Sequence, residues 1–548
     1  MNKLLALIMS GSFAVCALAA CTPSSGTGTS STGSVANSSS SSSSVGNSSI
    51  DAGNSASSSI TQTMFESDAV LYSDGLQYTT TTKGTPKSYA ALSYEFLGGK
   101  DVMPIGGFYG PYSSGGSLDG NERADLLSDK TFKDLQDAGI NMIVYGKDMW
   151  MGEDGGATAN LILDLCEKYG IGYYMQSQWV ESQLGGKLTP YPTENMALQT
   201  PAGINTLQRI INNMTKNGTR KCVLGLHARD EAFVHEVRNL AVLFDAWYNK
   251  MDNNYGLDLY GNSLGYWDGK NTLFGTTAAI TYQEYLDDYL NVAKPKMFSA
   301  TQYPFTSAST PEANLTAGLF EELTYYRELT IEQGIPFWRM MQAGGQWNDA
   351  SAWIPSVTPY QSEAELLFDV NIALAYGSKA IQYFTLVQPM HFAYQEGGTY
   401  DYERNGLIGA NGNLTRWYYY AQRANNQVKA VDEYLMNAAS EGVIVHGPKA
   451  RKYIVDDAKP NNTVFAENTY KEMIGVKGDD CVVGCFDYKG GTALYVVNYS
   501  RFDKADILVE FDDTYRYTVI QRADVADVVG SSIPLTLDMG EGALIVLE

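Results

Sequence analysis

Residues 223–232 read VLGLHARDEA. Val223, Leu224 and Leu226 form an apolar run suited to a strand covered on both faces, and such a run ordinarily closes in Gly, Asn or Ser. Here it passes instead through His227 into Arg229, Asp230 and Glu231. A helical pattern follows in which Val237, Leu240, Phe244 and Trp247 share one face. Carboxylates beside a core are costly unless they are paired or used. The place of this strand in the fold therefore decides how its charged end is read.

On both sides of it one unit recurs: an amphipathic helix, a glycine, then a short apolar strand. LSDKTFKDLQDAG leads into INMIVYG, with Ser128 as N-cap, Phe132 and Leu135 on one face, and Gly139 suited to a left-handed C-terminal turn. LILDLCEKYG leads into IGYYM, closing on Gly170, and LLFDVNIALAYG leads into SKAIQYFTL. Thr281 with Glu284, and Ser362 with Glu365, have the spacing of capping boxes. Strands are expected near 103–109, 140–145, 171–176, 222–228, 257–261, 296–303, 335–342 and 379–386. Alternating helices and strands imply a parallel sheet covered by helices. Eight units over 101–438 fit an α/β fold of the (β/α)8 TIM-barrel type better than an open sheet, and no Gly-rich phosphate fingerprint follows the first strand. From 439 to 548 the pattern changes to short strands without helices (GVIVHG, CVVGCFDY, TALYVVNYS, ALIVLE), expected to form an antiparallel β-sandwich domain. Residues 62–100 read as an extended segment packing on the barrel.

The N-terminal residues read as targeting rather than fold. A positive charge at Lys3 and an apolar stretch to Ala20 have the form of a signal peptide over 1–20. Leu18-Ala-Ala-Cys21 resembles a bacterial lipobox, which implies lipid on Cys21 and attachment to the outer face of a cell membrane. Residues 21–61 are almost wholly Ser, Thr, Gly, Ala and Asn and should act as a tether, with a reach on the order of 35 Å. The 38 Lys and Arg against 61 Asp and Glu give a net charge of −23, which argues against a nucleic-acid partner. Of six cysteines, Cys166, Cys222, Cys481 and Cys485 belong to the folded body. Cys481 and Cys485 lie four residues apart on one strand, too far for a disulfide, so free buried thiols are expected.

In a (β/α)8 barrel the reactive bowl lies where the strands end, which gives Arg229, Asp230 and Glu231 a place at its mouth, with the following helix starting there. ARDEA then resembles the Asn-Glu-Pro motif of the barrel glycoside hydrolases whose acid/base residue lies on strand four, with Asp230 for Asn and Ala232 for Pro. QYPF (302–305), GIPFWRMMQA (334–343) and ALAYGSKAIQYF (373–384) resemble segments of bacterial glycosidase-like barrels in order and spacing. The resemblance implies Glu231 as general acid/base and Asp230 as its neighbour in the site. It departs from the family at strand seven, where Gln342 stands in place of the nucleophilic Glu, and before the strand-six aromatic, where Thr301 and Gln302 stand in place of an Asp. A second carboxylate must come from elsewhere: Asp148, Glu181, Asp349 and Glu396 are the candidates. A partner about 5 Å from Glu231 implies retention of configuration, and one about 6.5–9.5 Å away implies inversion.

Aromatic and amide groups near the strand ends suit a sugar, whose C–H faces stack on rings while its hydroxyls seek polar partners. Trp150, Trp179, Trp267, Trp347 and Trp353 follow expected strands, and Trp150, Trp179, His227, Tyr303, Gln342 and Trp347 are the candidate substrate contacts. No metal spacing and no nucleophile elbow is present, so neither metal nor cofactor is expected. Two readings stand: a surface-anchored glycoside hydrolase, or a carbohydrate-binding lipoprotein on a barrel that has lost its chemistry. A third possibility at the site itself is that Asp230 and Glu231 merely form a salt-bridged helix start with Arg229.

Overall fold

The computed structural model describes residues 91–113, 125–146, 156–186, 189–190, 195–263, 265, 281–305, 315, 319–344, 361–395, 399–455 and 462–548. Cys21, the leader and tether, and most of 62–100 lie outside the described residues. So do Asp148, Trp150, Trp267, Trp347, Asp349, Trp353 and Glu396.

Eight parallel strands close on themselves: β1 (Ile105–Gly107), β2 (Met142–Ile143), β3 (Gly172–Met175), β4 (Val223–Asp230), β5 (Asp258–Ser263), β6 (Phe298–Thr301), β7 (Phe337–Gln342) and β8 (Ile381–Phe384). Each pairs with the next in sequence, and Ile105 opposite Ile381 completes the ring. The helices between them are α1 (Asp129–Asp137), α2 (Ala157–Tyr169), α3 (Gln178–Leu184), α4 (Pro201–Met214), α5 (Val237–Asp245), α6 (Tyr282–Asp288), α7 (Glu321–Gln333) and α8 (Glu363–Ala375), with α9 (Arg416–Asn437) after the last strand. The fold is the (β/α)8 barrel that the repeating unit implies.

Local chemistry explains the element ends. Ser128 Oγ accepts the Thr131 N–H at 3.3 Å to start α1, and Gly139 turns out of its end at φ +84°. Both capping boxes form: the Thr281 and Ser362 hydroxyls accept the Glu284 and Glu365 N–H groups, whose carboxylates reach back to the capping residues' own N–H groups at 2.7 Å. The barrel interior is packed by Met142, Tyr174, Leu224, Tyr260, Trp338 and Met340, while Leu226, Leu259 and Met341 face the helices. Strand four needs its glycine. A Cβ on Gly225 would lie 2.0 Å from the Asp258 carbonyl oxygen and 2.7 Å from the Tyr174 ring.

Three expectations about this region need correction. Strand four does not stop at residue 228 but continues to Asp230, and α5 starts at Val237 after a short 3-10 turn over Val234–Glu236. The helix dipole therefore sits a full turn beyond the acidic pair. Strand five likewise runs past 261 and carries Asn262 to the barrel mouth.

Beyond α9 the chain forms one antiparallel sheet of seven strands: β9 (Ala438–His446), β10 (Met473–Gly478), β11 (Cys481–Tyr488), β12 (Gly491–Asn498), β13 (Ala505–Gln521), β14 (Asp524–Leu537) and β15 (Gly542–Leu547). They are ordered β9-β11-β12-β15-β13-β10, with β14 added on β13. One face carries its own core of Ile444, Val483, Leu494, Val509 and Ile545. The other face packs on the barrel helices through Val482, Phe486, Tyr495 and Leu544. A Cβ on Gly484 would come within 2.3 Å of the Ala375 carbonyl oxygen, so the sheet lies directly on the end of α8. Cys166, Cys222, Cys481 and Cys485 are buried free thiols. No described helix is long and apolar enough to cross a membrane.

Candidate active site at the barrel mouth

The end of β4 is shaped by one extra residue. His227 stands opposite Tyr260 of β5, but Arg229, not Ala228, stands opposite Gly261, and Asp230 opposite Asn262. Strict alternation from His227 would turn Arg229 inward and Asp230 outward. The bulge reverses this, as bulges beside functional sites do. Asp230 faces in, where its Oδ1 accepts from Asn262 Nδ2 at 3.1 Å. Arg229 pairs instead with the wholly buried Glu236 and donates to the Gly185 carbonyl at 3.4 Å. The ion pair of this segment is thus Arg229–Glu236, and Arg229 is not the clamp of the acidic pair that the third possibility required.

Glu231 leaves the strand through the left-handed region at φ +51°, with its N–H donating to the Asn262 carbonyl at 2.8 Å. That conformation is uncommon for a residue with a side chain and costs about 1 kcal/mol. The Tyr285 hydroxyl fixes the next residue by donating to the Ala232 carbonyl at 2.6 Å. Asn262 is itself held from below. It accepts the Ser299 hydroxyl at 3.0 Å, Ser299 accepts from Gln382 Nε2 at 3.0 Å, and Tyr260 donates to Gln382 Oε1 at 2.8 Å. Asp230 therefore rests on a hydrogen-bonded floor drawn from β5, β6 and β8.

His227 lies inside the barrel among rings: Tyr145 at 5.3 Å, Tyr260 at 5.5 Å and Phe108 at 5.7 Å between centroids. Burial lowers its pKa to about 4, against the raising effect of Asp230, so the imidazole is neutral near pH 7. Neither ring nitrogen has a hydrogen-bond partner among the described residues.

Glu181, on α3 just beyond strand three, is the candidate second carboxylate that the structure describes beside this group. Burial pushes its carboxyl up to about 7, Arg229 pulls it down and the charge of Asp230 pushes it up further. Tyr145 feels Glu181 and Asp230 as well, and its phenol is raised first by burial. Two acids with different surroundings at one barrel rim are the arrangement from which a proton donor and a proton acceptor can be made. A linked consequence concerns stability. Glu181 has a folded pKa above its unfolded value, so folding loses free energy as pH rises from about 4.5 to about 7, and the penalty is constant above that. Glu181→Gln should therefore leave stability unchanged at pH 4 and raise it above pH 7 by on the order of 1–2 kcal/mol, allowing for solvent screening. Urea unfolding at both pH values checks this, and equal effects at both would contradict it.

The opposite wall is aromatic. Tyr303 lies 5.4 Å from Phe384, and Tyr109 lies 5.8 Å from both Phe384 and Phe392. Gln342, at the end of β7, follows Trp338 and Met340 on the inward face. Its Nε2 donates to the Phe305 carbonyl at 3.2 Å and the Gly344 carbonyl at 2.8 Å. Trp179 sits half-buried on α3 against the helix-facing core. Gln302 and Arg339 turn to the helix side of the barrel, where Arg339 donates to Gln302 Oε1 at 2.7 Å and Asp369 Oδ1 at 3.1 Å. The described residues contain no cluster of His, Cys, Asp and Glu that could hold a metal ion.

No family model matches the chain. No curated protein matches its sequence either. Solved structures similar to the chain include the β-galactosidase from Bacillus circulans sp. alkalophilus, at 10% identity and TM-score 0.48, over 81% of this chain and 99% of that one. The GH51 arabinofuranosidase from Xanthomonas axonopodis pv. citri is similar at 12% identity and TM-score 0.42, over 84% and 98%. The β-galactosidase from the psychrophilic Marinomonas ef1 is similar at 12% identity and TM-score 0.39, over 62% of this chain and 63% of that one. The closed ring of strand pairs establishes the barrel independently of these likenesses.

Asn262, Gln176, Tyr145 and Glu236 join the site without having been singled out from the sequence. Asn262 and Gln176 share a signal, a polar residue at the very end of an apolar strand. Glu236 carried none, because its partner Arg229 is turned toward it by the bulge.

Proposed function

We propose that the chain is a glycoside hydrolase acting on oligo- or polysaccharide outside the cell, with Glu231 as general acid/base. One observation carries this reading. Carboxyl groups following strands three and four gather on one side of a barrel mouth whose other side is ring-lined, and one of them, Glu181, titrates near neutrality. A sugar fits such an amphipathic bowl, with its C–H face on the rings and its hydroxyls toward Asn262, His227 and Gln342. In the proposed reaction a protonated carboxyl gives its proton to the glycosidic oxygen as the C1–O bond breaks. An ionised carboxylate takes a proton from the incoming water. Glu231 fills the first role, Asp230 orients the sugar, and Glu181 is the described candidate for the second carboxylate. The lipobox-like Leu18–Cys21 and the Ser-rich stretch support placing this body on a lipid-anchored tether. Mass analysis of the N-terminal peptide of membrane-extracted protein tests that part.

A second reading is favoured by a specific feature: Gln342, clasped to two carbonyls, stands where a nucleophile is expected. The bowl would then bind glycans without cleaving them. Incubation with a broad set of plant, microbial and host glycans, followed by analysis of reducing ends, separates the two. Release of new reducing ends is expected. Tight binding with no release from any bound glycan would overturn the hydrolase reading.

A further inference from the structure

We infer that the bowl is completed from outside the barrel: Arg501, carried on a turn of the C-terminal sheet, is a positioning residue for the glycan site and acts through Phe305 on Gln342. The inference rests on the carbohydrate reading above and adds the C-terminal sheet to that site.

Phe305 has two attachments. Its carbonyl accepts Gln342 Nε2 at 3.2 Å, at the end of β7, and its ring lies 5.5 Å from the Arg501 guanidinium carbon. Tyr303 of the aromatic wall stands two residues earlier, and the fixed φ of Pro304 between them leaves little slack. A shift of Phe305 is therefore felt at both Gln342 and Tyr303.

Arg501 is 4% exposed. Its guanidinium also lies 5.1 Å from the Phe502 ring and 6.0 Å from the Phe368 ring, and Nη1 donates to Glu365 Oε1 at 3.2 Å in the first turn of α8. A desolvated cation holds aromatic faces more strongly than one in water, and the planar guanidinium can meet more than one ring. These contacts fix Phe305 against α8 and the sheet together.

The turn that carries Arg501 is itself stiffly held. Asn498, wholly buried, accepts the Ser500 N–H at 2.7 Å and donates to the Asp503 and Asp538 carbonyls at 2.9 Å each. The Ser500 carbonyl accepts the Gly540 N–H at 2.9 Å. Attachment of the sheet to the barrel does not depend on Arg501: Tyr499 stacks on Phe320 at 6.1 Å, and Tyr495 and Gly540 are bonded to Asn371. What Arg501 adds is the reach to Phe305, at the rim where β6 and β7 end. A support of this kind sets the geometry of a binding group without touching the ligand.

The test uses the full chain in detergent, with 4-nitrophenyl glycosides of common hexoses and pentoses for turnover and cello-, xylo-, manno- and galacto-oligosaccharides for calorimetric binding. Arg501→Met removes the cation from a side chain of similar reach. It should raise KM and Kd by about 10-fold and change kcat by less than about 2-fold, because the Glu231 segment is untouched. Phe305→Leu removes the ring face from the other side and should do the same. The double variant should be no worse than either single one, whereas independent effects would multiply to about 100-fold. Lys504→Met, on the same turn but paired with Asp538, should leave all three constants unchanged. Hydrogen exchange of the ligand-free protein should be about 3-fold faster over 298–305 and 337–344 in Arg501→Met, with 366–375 and 491–498 at the wild-type rate. Should Arg501→Met not fold, Arg501→Lys, which keeps the charge but loses the planar face, takes its place in the cycle. An unchanged KM, multiplying effects, an equal rise in Lys504→Met, or faster exchange throughout α8 and the sheet would overturn the inference and leave the hydrolase reading intact. Coupled shifts in binding without cleavage of any probe would uphold it and refute the hydrolase reading. Binding of none of the probes would end both.

Discussion

Glu231→Gln is expected to lower kcat on any glycoside that the wild-type chain cleaves by about 1,000-fold, with little change in KM. Glutamine has nearly the size of glutamate and can occupy the same left-handed turn, because that turn is held by backbone contacts. The Glu231 N–H is bonded to Asn262, and the Ala232 carbonyl to Tyr285. What the substitution removes is the ionisable carboxyl, and with it the group that can give a proton and take it back. A uniform rise in KM with kcat preserved would mean that Glu231 only binds, and an unchanged rate would remove it from the chemistry altogether. Glu231→Gly makes a useful companion. It relieves the positive φ and should not destabilise the fold through that residue, so loss of turnover in a stable variant cannot be blamed on misfolding.

Asp369→Ala is the second large effect, and it concerns stability. The Arg339 and Asp369 side chains are both 0% exposed, joined at 3.1 Å between β7 and α8. Removing the acid leaves a guanidinium in the interior with no opposing charge, which costs about 3–5 kcal/mol. The midpoint of urea unfolding should fall accordingly. The double variant Arg339→Met with Asp369→Leu removes both charges and should recover most of the loss, because a matched apolar pair carries no desolvation penalty. A single variant as stable as wild type would mean that solvent reaches the pair.

Sequence pattern was informative where a residue's surroundings are repeated, and silent where they depend on one irregularity. The seven barrel strands after the first were readable because each follows a helix closed by a turn, and the helix starts at Ser128, Thr281 and Ser362 carry their caps in the sequence. The bulge at Ala228 was not readable, since alternation has no way to register an added residue until the neighbouring strand is aligned against it. From that one residue follow the inward turn of Asp230, the diversion of Arg229 to Glu236 and the later start of α5. Glu181 was legible only as one acid among four. Its distinction is a matter of burial and of two charged neighbours, and both arise from packing across α3 and β4. Gln342 was legible as a departure from a family pattern, but its clasp to Phe305 and Gly344 depends on where two loops pass.

The contact between α8 and the C-terminal sheet has a thermodynamic consequence. Asn371 spans it with both ends of its amide, accepting from the Tyr495 hydroxyl at 2.7 Å and donating to the Gly540 carbonyl at 2.8 Å, while Arg327 reaches Ser440. The apolar cluster there runs without a break from Leu366 and Val370 into Val482 and Tyr495. The two architectures thus share one apolar cluster where they meet, and neither can come away there without exposing that of its neighbour. Calorimetry should record the pair melting as one cooperative event, with the sheet serving as a structural half of the barrel and not as a detachable appendage.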